Sequence, residues 1–126
     1  MLWEQIDGHE SVKFYCGGYG DFDLLCAEAC RIVKKRKNGC EVILVTPYFP
    51  QKEMMGWATD LERYDCILYP PLERVPPKVA ICRRNEWMVE QADVVIAYVE
   101  TSFGGAYKSL EYAKKKRKRV INLSKE

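Results

Sequence analysis

The chain has 126 residues, a formal net charge of +2, 48% hydrophobic residues and 30% charged residues. This composition excludes a disordered chain, because it supplies enough apolar surface for a core. No apolar run approaches the roughly 20 residues of a membrane span, and the first residues lack the pattern of a signal peptide. We therefore predict a single cytoplasmic domain over residues 1–126, without membrane contact.

Cysteine and histidine usage argues against a metal site. The single histidine, His9, cannot complete a usual zinc set, and no two cysteines form a Cys-x-x-Cys pair. The six cysteines fall mostly within apolar strand or helix patterns. We predict reduced, structural thiols, with no metal and no cofactor.

Apolar runs alternate with helical periods along the whole chain. In chain order the predicted elements are strand 12–16, helix 23–37, strand 41–46, helix 53–63, strand 65–69, helix 77–91, strand 93–99, helix 104–117 and strand 120–123. The first helix carries an apolar stripe at Leu25, Ala29 and Ile32, and strand 41–46 is a continuous apolar run, typical of burial on both faces.

This alternation predicts an α/β fold of Rossmann-like, three-layer type. Each strand is followed by a helix, so the strands are expected to run parallel, with helices on both faces of one five-stranded sheet. The expected strand order is 3-2-1-4-5, in which the first and fourth strands are neighbours. Ligands of such sheets bind at this switch point, outside the carboxyl ends of the strands.

Glycine turns follow both of these strands. A glycine allows the backbone to adopt positive φ and to approach a ligand closely, and a helix N-terminus attracts anions. Asp21, just after the first turn, could accept a hydrogen bond from a ribose hydroxyl or cap the next helix, and the sequence leaves both roles open. The candidate ligand-binding residues of the two turns are Gly17, Gly18, Gly20 and Asp21 after strand one, and Thr101, Ser102, Gly104 and Gly105 after strand four.

The helix before strand four adds two candidates. Asn85 lies on a helical stripe whose other members, Ile81, Met88 and Ala92, are apolar, so its amide needs either a protein partner or a ligand. Arg84, beside it, could bind a phosphate through two parallel hydrogen bonds.

The turn at Gly104-Gly105, the segment Leu110-Glu-Tyr-Ala-Lys114 and the segment Arg83-Arg-Asn-Glu-Trp-Met resemble the SLOG superfamily, in particular its small single-domain bacterial and phage branch. This superfamily includes the lonely-guy phosphoribohydrolases and DNA-processing protein A. The resemblance implies a Rossmann-like domain that binds a nucleotide or a nucleotide-derived ligand, and it admits a homodimer.

The resemblance also implies an alternative function. Lonely-guy enzymes carry Pro-Gly-Gly-x-Gly-Thr-x-x-Glu and cleave a base from a nucleoside monophosphate. Gly104, Gly105 and Glu111 match this motif, whereas Phe103 replaces its proline and Tyr107-Lys108 replaces its Gly-Thr. An N-glycosidase with Glu111 and Arg84 as catalytic residues is therefore the alternative to a binding module. Glu111 is otherwise explained as a surface residue paired with Lys115.

Two basic runs end predicted helices, at residues 34–37 and 114–119. Cations at a helix C-terminus complement the helix dipole, so a solvated edge explains both runs. Nucleic-acid association through this edge is the third function considered, but the sequence favours a solvated edge and does not predict a nucleic-acid partner.

Overall fold

The computed structural model of the protein describes residues 5–17, 21–48 and 64–125. These residues form a mixed α/β protein with parallel strands and three helices, and the chain divides into two compact units, Met1–Pro70 and Pro71–Glu126. The first unit contains β1 (Val12–Cys16), α1 (Asp21–Arg36), β2 (Cys40–Val45) and β3 (Cys66–Leu68). The second contains a 3₁₀ turn (Pro77–Val79), α2 (Ala80–Gln91), β4 (Val94–Ala97), α3 (Gly105–Lys115), β5 (Arg119–Asn122) and a final 3₁₀ turn (Leu123–Lys125).

The first unit is built on a three-stranded parallel sheet of order β1-β2-β3. Its register pairs Val12 with Cys40 and Ile43 with Cys66. The central strand β2 is the most buried element, as its continuous apolar sequence predicts, and Val45 has no exposed surface.

Helix α1 packs on this sheet through a face that differs from the predicted one. Ala27, Cys30 and Val33 are buried, whereas Leu25 is 68% exposed and Ile32 is 48% exposed. The predicted core stripe is therefore wrong. The helix carries apolar residues on two faces, and periodicity alone does not decide which face contacts the sheet.

The second unit contains a two-stranded parallel sheet, in which Val94 pairs with Arg119 and Ala97 pairs with Asn122. Helix α2 follows a 3₁₀ turn that begins at Pro77, where proline is well tolerated. Helix α3 buries Leu110 and Ala113.

The predicted single sheet of order 3-2-1-4-5 is wrong, because the described residues form one sheet of three strands and one of two. The segments 3-2-1 and 4-5 of the predicted order are observed, as β1-β2-β3 and as β4-β5. The alternation of elements determines that strands close in sequence run parallel. It does not determine hydrogen bonding between β1 and β4, which are far apart in the chain.

The predicted helix at 53–63 lies outside the described residues. Among the helices that are described, none has the length and apolar character needed to span a membrane.

Candidate functional site

The chain leaving β4 is held in place by side chains at the end of β5 and just after it. The amide oxygen Oδ1 of Asn122 accepts a hydrogen bond from the Val99 N–H at 3.0 Å, and its Nδ2 donates to the Val99 carbonyl at 3.0 Å. The Ser124 hydroxyl donates to the same carbonyl at 2.6 Å. Because this amide bonds the backbone as a neighbouring strand would, it extends the pairing of β4 with β5 beyond Ala97.

The turn that follows, residues 101–104, leads directly into α3 and is exposed to solvent. The Thr101 hydroxyl donates to the Phe103 carbonyl at 3.0 Å, which closes the turn locally. Gly104 has φ of 95°, a conformation that L side chains rarely adopt. A Cβ added at Gly104 or at Gly105 would meet no atom within 4 Å, so the space in front of both glycines is open.

The N-terminus of α3 is free of side-chain caps. Gly104 is its N-cap residue, no side chain caps the helix there, and its first turn contains no acidic residue. The Gly104 carbonyl accepts from the Lys108 N–H, so the N–H groups of Gly105, Ala106 and Tyr107 precede the first helical hydrogen bond. An anion placed there would receive these hydrogen bonds and the favourable end of the helix dipole.

The turn after β1 is described only in part. Gly17 is buried, and Gly18 and Gly20 lie outside the described residues. Helix α1 begins at Asp21, whose side chain is likewise outside the description, so its capping role stays a prediction.

Buried thiols lie just before this turn. All six cysteines are free. The pKa of Cys16 is raised by a hydrogen bond with Cys30 and by burial, and burial raises the pKa of Cys26 to about 11. A raised pKa favours the protonated thiol at Cys16 and Cys26, and a protonated thiol is a poor nucleophile.

Arg84 and Asn85 on α2 contact one another. The Arg84 side chain is almost fully buried, with 3% of its surface exposed, and its Nε donates to the Asn85 Oδ1 at 2.8 Å. A buried guanidinium is costly unless its N–H groups are paired, so the Asn85 amide stabilises a charge inside the second unit. The partner that the amide requires is thus found within the same helix.

Glu111, the other candidate catalytic residue, is exposed on α3. Its carboxylate lies 3.4 Å from the Lys114 ammonium, one residue from the predicted partner Lys115. Glu111 also lines a groove of about 220 Å³ between α2 and α3. Each of the two candidate catalytic residues therefore has another partner: Arg84 bonds to Asn85, and Glu111 pairs with Lys114.

A second groove, of about 440 Å³, lies between α2 and the segment that precedes it. Neither groove includes the turn at Gly104. The second is lined by prolines 71 and 76, by Leu72, Val75, Val79 and Trp87, and by the charged residues Arg74, Arg83, Glu86 and Glu90. Across residues 5–17, 21–48 and 64–125, no cluster of three or more His, Cys, Asp or Glu side chains is arranged to hold a metal ion.

Asn122 and Ser124 were not among the candidates from sequence. The signal that could have identified Asn122 is its position: an amide at the end of an apolar strand, Val-Ile-Asn-Leu, must find partners when it becomes half-buried.

These features define an α/β protein with parallel strands and an open glycine turn between β4 and α3. The chain is similar to the uncharacterised SPbeta prophage-derived protein YoqJ of Bacillus subtilis (strain 168), with 26% identity over 133 aligned residues that cover 91% of this chain and 77% of the relative. No protein-family model matches the chain, and no solved structure matches it.

Proposed function

We propose that this protein binds a nucleotide or nucleotide-derived ligand, with a phosphate of the ligand at the turn between β4 and α3. The observation that carries this proposal is the N-terminus of α3, which has no side-chain cap. The space beside it is open, because a Cβ added at Gly104 or Gly105 would meet no atom within 4 Å. Backbone N–H groups at such a position are well suited to phosphate oxygens.

The proposal includes membership of the SLOG superfamily. The order of strand, glycine turn and helix at residues 94–115 supports it. In this proposal Thr101 and Ser102 add hydroxyl groups to the site, and the contribution expected of the glycine turn after β1 stays a prediction from the sequence. The base of the ligand and its number of phosphates stay open.

A phosphoribohydrolase is the weaker candidate. It would use Glu111 and Arg84, but Glu111 is paired with Lys114 on the surface, and the buried Arg84 donates to Asn85. No described contact joins the two side chains. Release of a free base from a nucleoside monophosphate, abolished by Glu111→Gln, would favour this alternative over binding alone.

The test is a thermal-shift panel of nucleotides, nucleosides, NAD and ADP-ribose with wild type, Gly105→Asp and Gly105→Ala. A ligand at ~100 times its dissociation constant should stabilise wild type by about 2.7 kcal/mol. Gly105→Asp places a carboxylate at the first turn of α3, where it favours the helix through the dipole but repels a phosphate. We expect this variant to remain folded and to lose the shift.

Gly105→Ala is the matched control, because its methyl group adds no charge and meets no atom within 4 Å. It should remain folded and retain part of the shift. If no compound stabilises wild type, or if Gly105→Asp retains the full shift, binding at this turn is refuted.

A further inference from the structure

Helix α3 ends at a left-handed residue, and that residue is arginine rather than the usual glycine. The Arg117 N–H donates to the Lys114 carbonyl and the Lys118 N–H donates to the Ala113 carbonyl, both at 3.0 Å. This pair of bonds is a Schellman motif, in which the residue after the C-cap is left-handed and is usually glycine. Here that residue is Arg117, with φ of 58°, the sole non-glycine residue with positive φ in the described chain. The chain thus has an arginine where glycine would cost less.

Arg117 lies within six consecutive basic residues, 114–119. Three of them contact groups of the protein itself. Lys114 pairs with Glu111, Lys116 lies 5.4 Å from the centre of the Tyr112 ring, and the Lys118 ammonium donates to the Glu90 carbonyl at 3.2 Å.

The other three are Lys115, Arg117 and Arg119, which alternate along the run. All three are exposed, and within residues 64–125 no ion pair involves them. We name these three residues the basic end of α3. Within the part of the chain that the structure describes, none of their three positive charges is paired with a carboxylate.

The helix dipole does not explain this concentration of charge. Its effect is confined to the last turn, which accounts for Lys115. Arg117 follows the helix and Arg119 begins β5. Like charges this close repel one another, and Arg117 adds the cost of a left-handed backbone. The repulsion would fall if an anionic partner neutralised the charges, which makes such a partner the natural complement of this segment.

We propose that the basic end of α3 binds the phosphate backbone of a nucleic acid. The regularly spaced phosphates of a nucleic-acid backbone attract three exposed cations that fall within five consecutive residues, and arginine binds phosphate through two parallel hydrogen bonds. Among the described residues, no exposed large apolar side chain falls between 104 and 122, so nothing at this end of the helix would insert into a lipid bilayer. Contacts of this kind position a protein on nucleic acid without reading its sequence.

This inference is independent of the proposed ligand site, which uses the opposite end of α3. Its test measures the fluorescence anisotropy of a labelled DNA duplex titrated with the full chain over a salt series. Loss of one phosphate contact lowers the slope of log affinity against log salt by about 0.9 and weakens binding roughly five- to tenfold at 0.1 M salt.

Arg117→Gln should produce this loss, and the triple change of Lys115, Arg117 and Arg119 to Gln should weaken binding roughly a hundredfold or more. Arg117→Gly is the decisive variant, because it should raise Tm by relieving the left-handed strain and still weaken binding as much as Arg117→Gln does. A loss of affinity in a more stable protein cannot result from unfolding.

Lys78→Gln is the charge-matched control, since Lys78 is exposed in the same unit and lies outside the run. It should leave the salt slope unchanged, and Gly105→Asp should retain duplex binding. The proposal is overturned if wild type does not bind the duplex, if Lys78→Gln weakens binding as much as Arg117→Gln, or if phosphatidylserine vesicles are bound and the duplex is not.

Discussion

At the scale of single residues, a hydrogen bond joins Arg84 and Asn85, two neighbouring polar side chains of α2. Arg84 is almost fully buried, and its Nε reaches the Asn85 amide oxygen at 2.8 Å. A hydrogen bond to a charged group typically contributes about 1.5–3 kcal/mol, more than a neutral one. The Asn85 amide is therefore expected to act mainly in folding.

We expect Asn85→Ala to lower the free energy of unfolding by about 1.5–3 kcal/mol, because it leaves a buried guanidinium N–H without its acceptor. Urea denaturation followed by circular dichroism measures this loss. Asn85→Asp retains an acceptor oxygen and adds a compensating charge, so it should be much less destabilising. Equal losses in both variants would mean that the bond to Arg84 contributes little.

Sequence reasoning predicted that Asn85 needs a partner but did not predict which one. An amide on an apolar helical stripe is visible in the pattern, whereas the burial of Arg84 depends on how α2 packs. The stripe itself was placed inexactly, since Ile81 is 44% exposed while Ala80 and Arg84 are buried. If the buried face of α2 is displaced by one residue, Arg84 is buried in place of Asn85.

At the scale of elements, the Asn122 brace joins the end of β5 to the chain leaving β4. Asn122→Ala removes two hydrogen bonds to the Val99 backbone and one acceptor for the Ser124 N–H, so we expect a loss of about 1–3 kcal/mol. Amide hydrogen exchange at Val99 should accelerate, because its donor loses its acceptor.

Ser124→Ala is the comparison for this prediction. It removes the bond from the Ser124 hydroxyl to the Val99 carbonyl and leaves the Val99 N–H bonded to Asn122. Exchange at Val99 should then remain close to that of wild type. Unchanged protection at Val99 in Asn122→Ala would show that the amide does not hold the turn.

Most elements were predictable because their signals are local. Strand β1 was predicted with its observed bounds, and α3 begins one residue after the predicted start because Gly104 adopts a cap conformation. The side-chain brace on Val99 was not predictable from local signals, since Asn122 and Val99 are 23 residues apart. Neither was the core-facing side of α1, where two apolar faces compete.

At the scale of the whole molecule, the sequence predicted parallel α/β architecture correctly and the single five-stranded sheet wrongly. Hydrophobic patterns show that a strand is buried and which way it runs after a helix. They do not specify which distant strand it pairs with, because that choice depends on packing among several elements. The prediction that the two glycine turns form one ligand site depends on that pairing and stays a prediction.

Acid stability is a whole-molecule property to which Asp65, in the first unit, is expected to contribute. Asp65 accepts a hydrogen bond from the Val42 N–H at 2.7 Å and pairs with the Lys34 ammonium, so it connects β2, α1 and the start of β3. Partial burial alone would raise the pKa of Asp65. The hydrogen bonds from Lys34 and from the Val42 N–H outweigh that effect and lower the pKa below its ordinary value of 3.8.

The direction of this pKa shift determines the expected pH dependence. Because the folded state favours the charged carboxylate, Asp65 stabilises the protein fully above the unfolded pKa of 3.8, and the stabilisation is lost as pH falls through the lower folded pKa. We expect Asp65→Asn to destabilise the protein near neutral pH and to flatten the fall in stability below about pH 4. Urea midpoints measured across this range, with amide exchange at Val42, provide the test. An acid transition as steep in Asp65→Asn as in wild type would assign the pH dependence to other carboxylates.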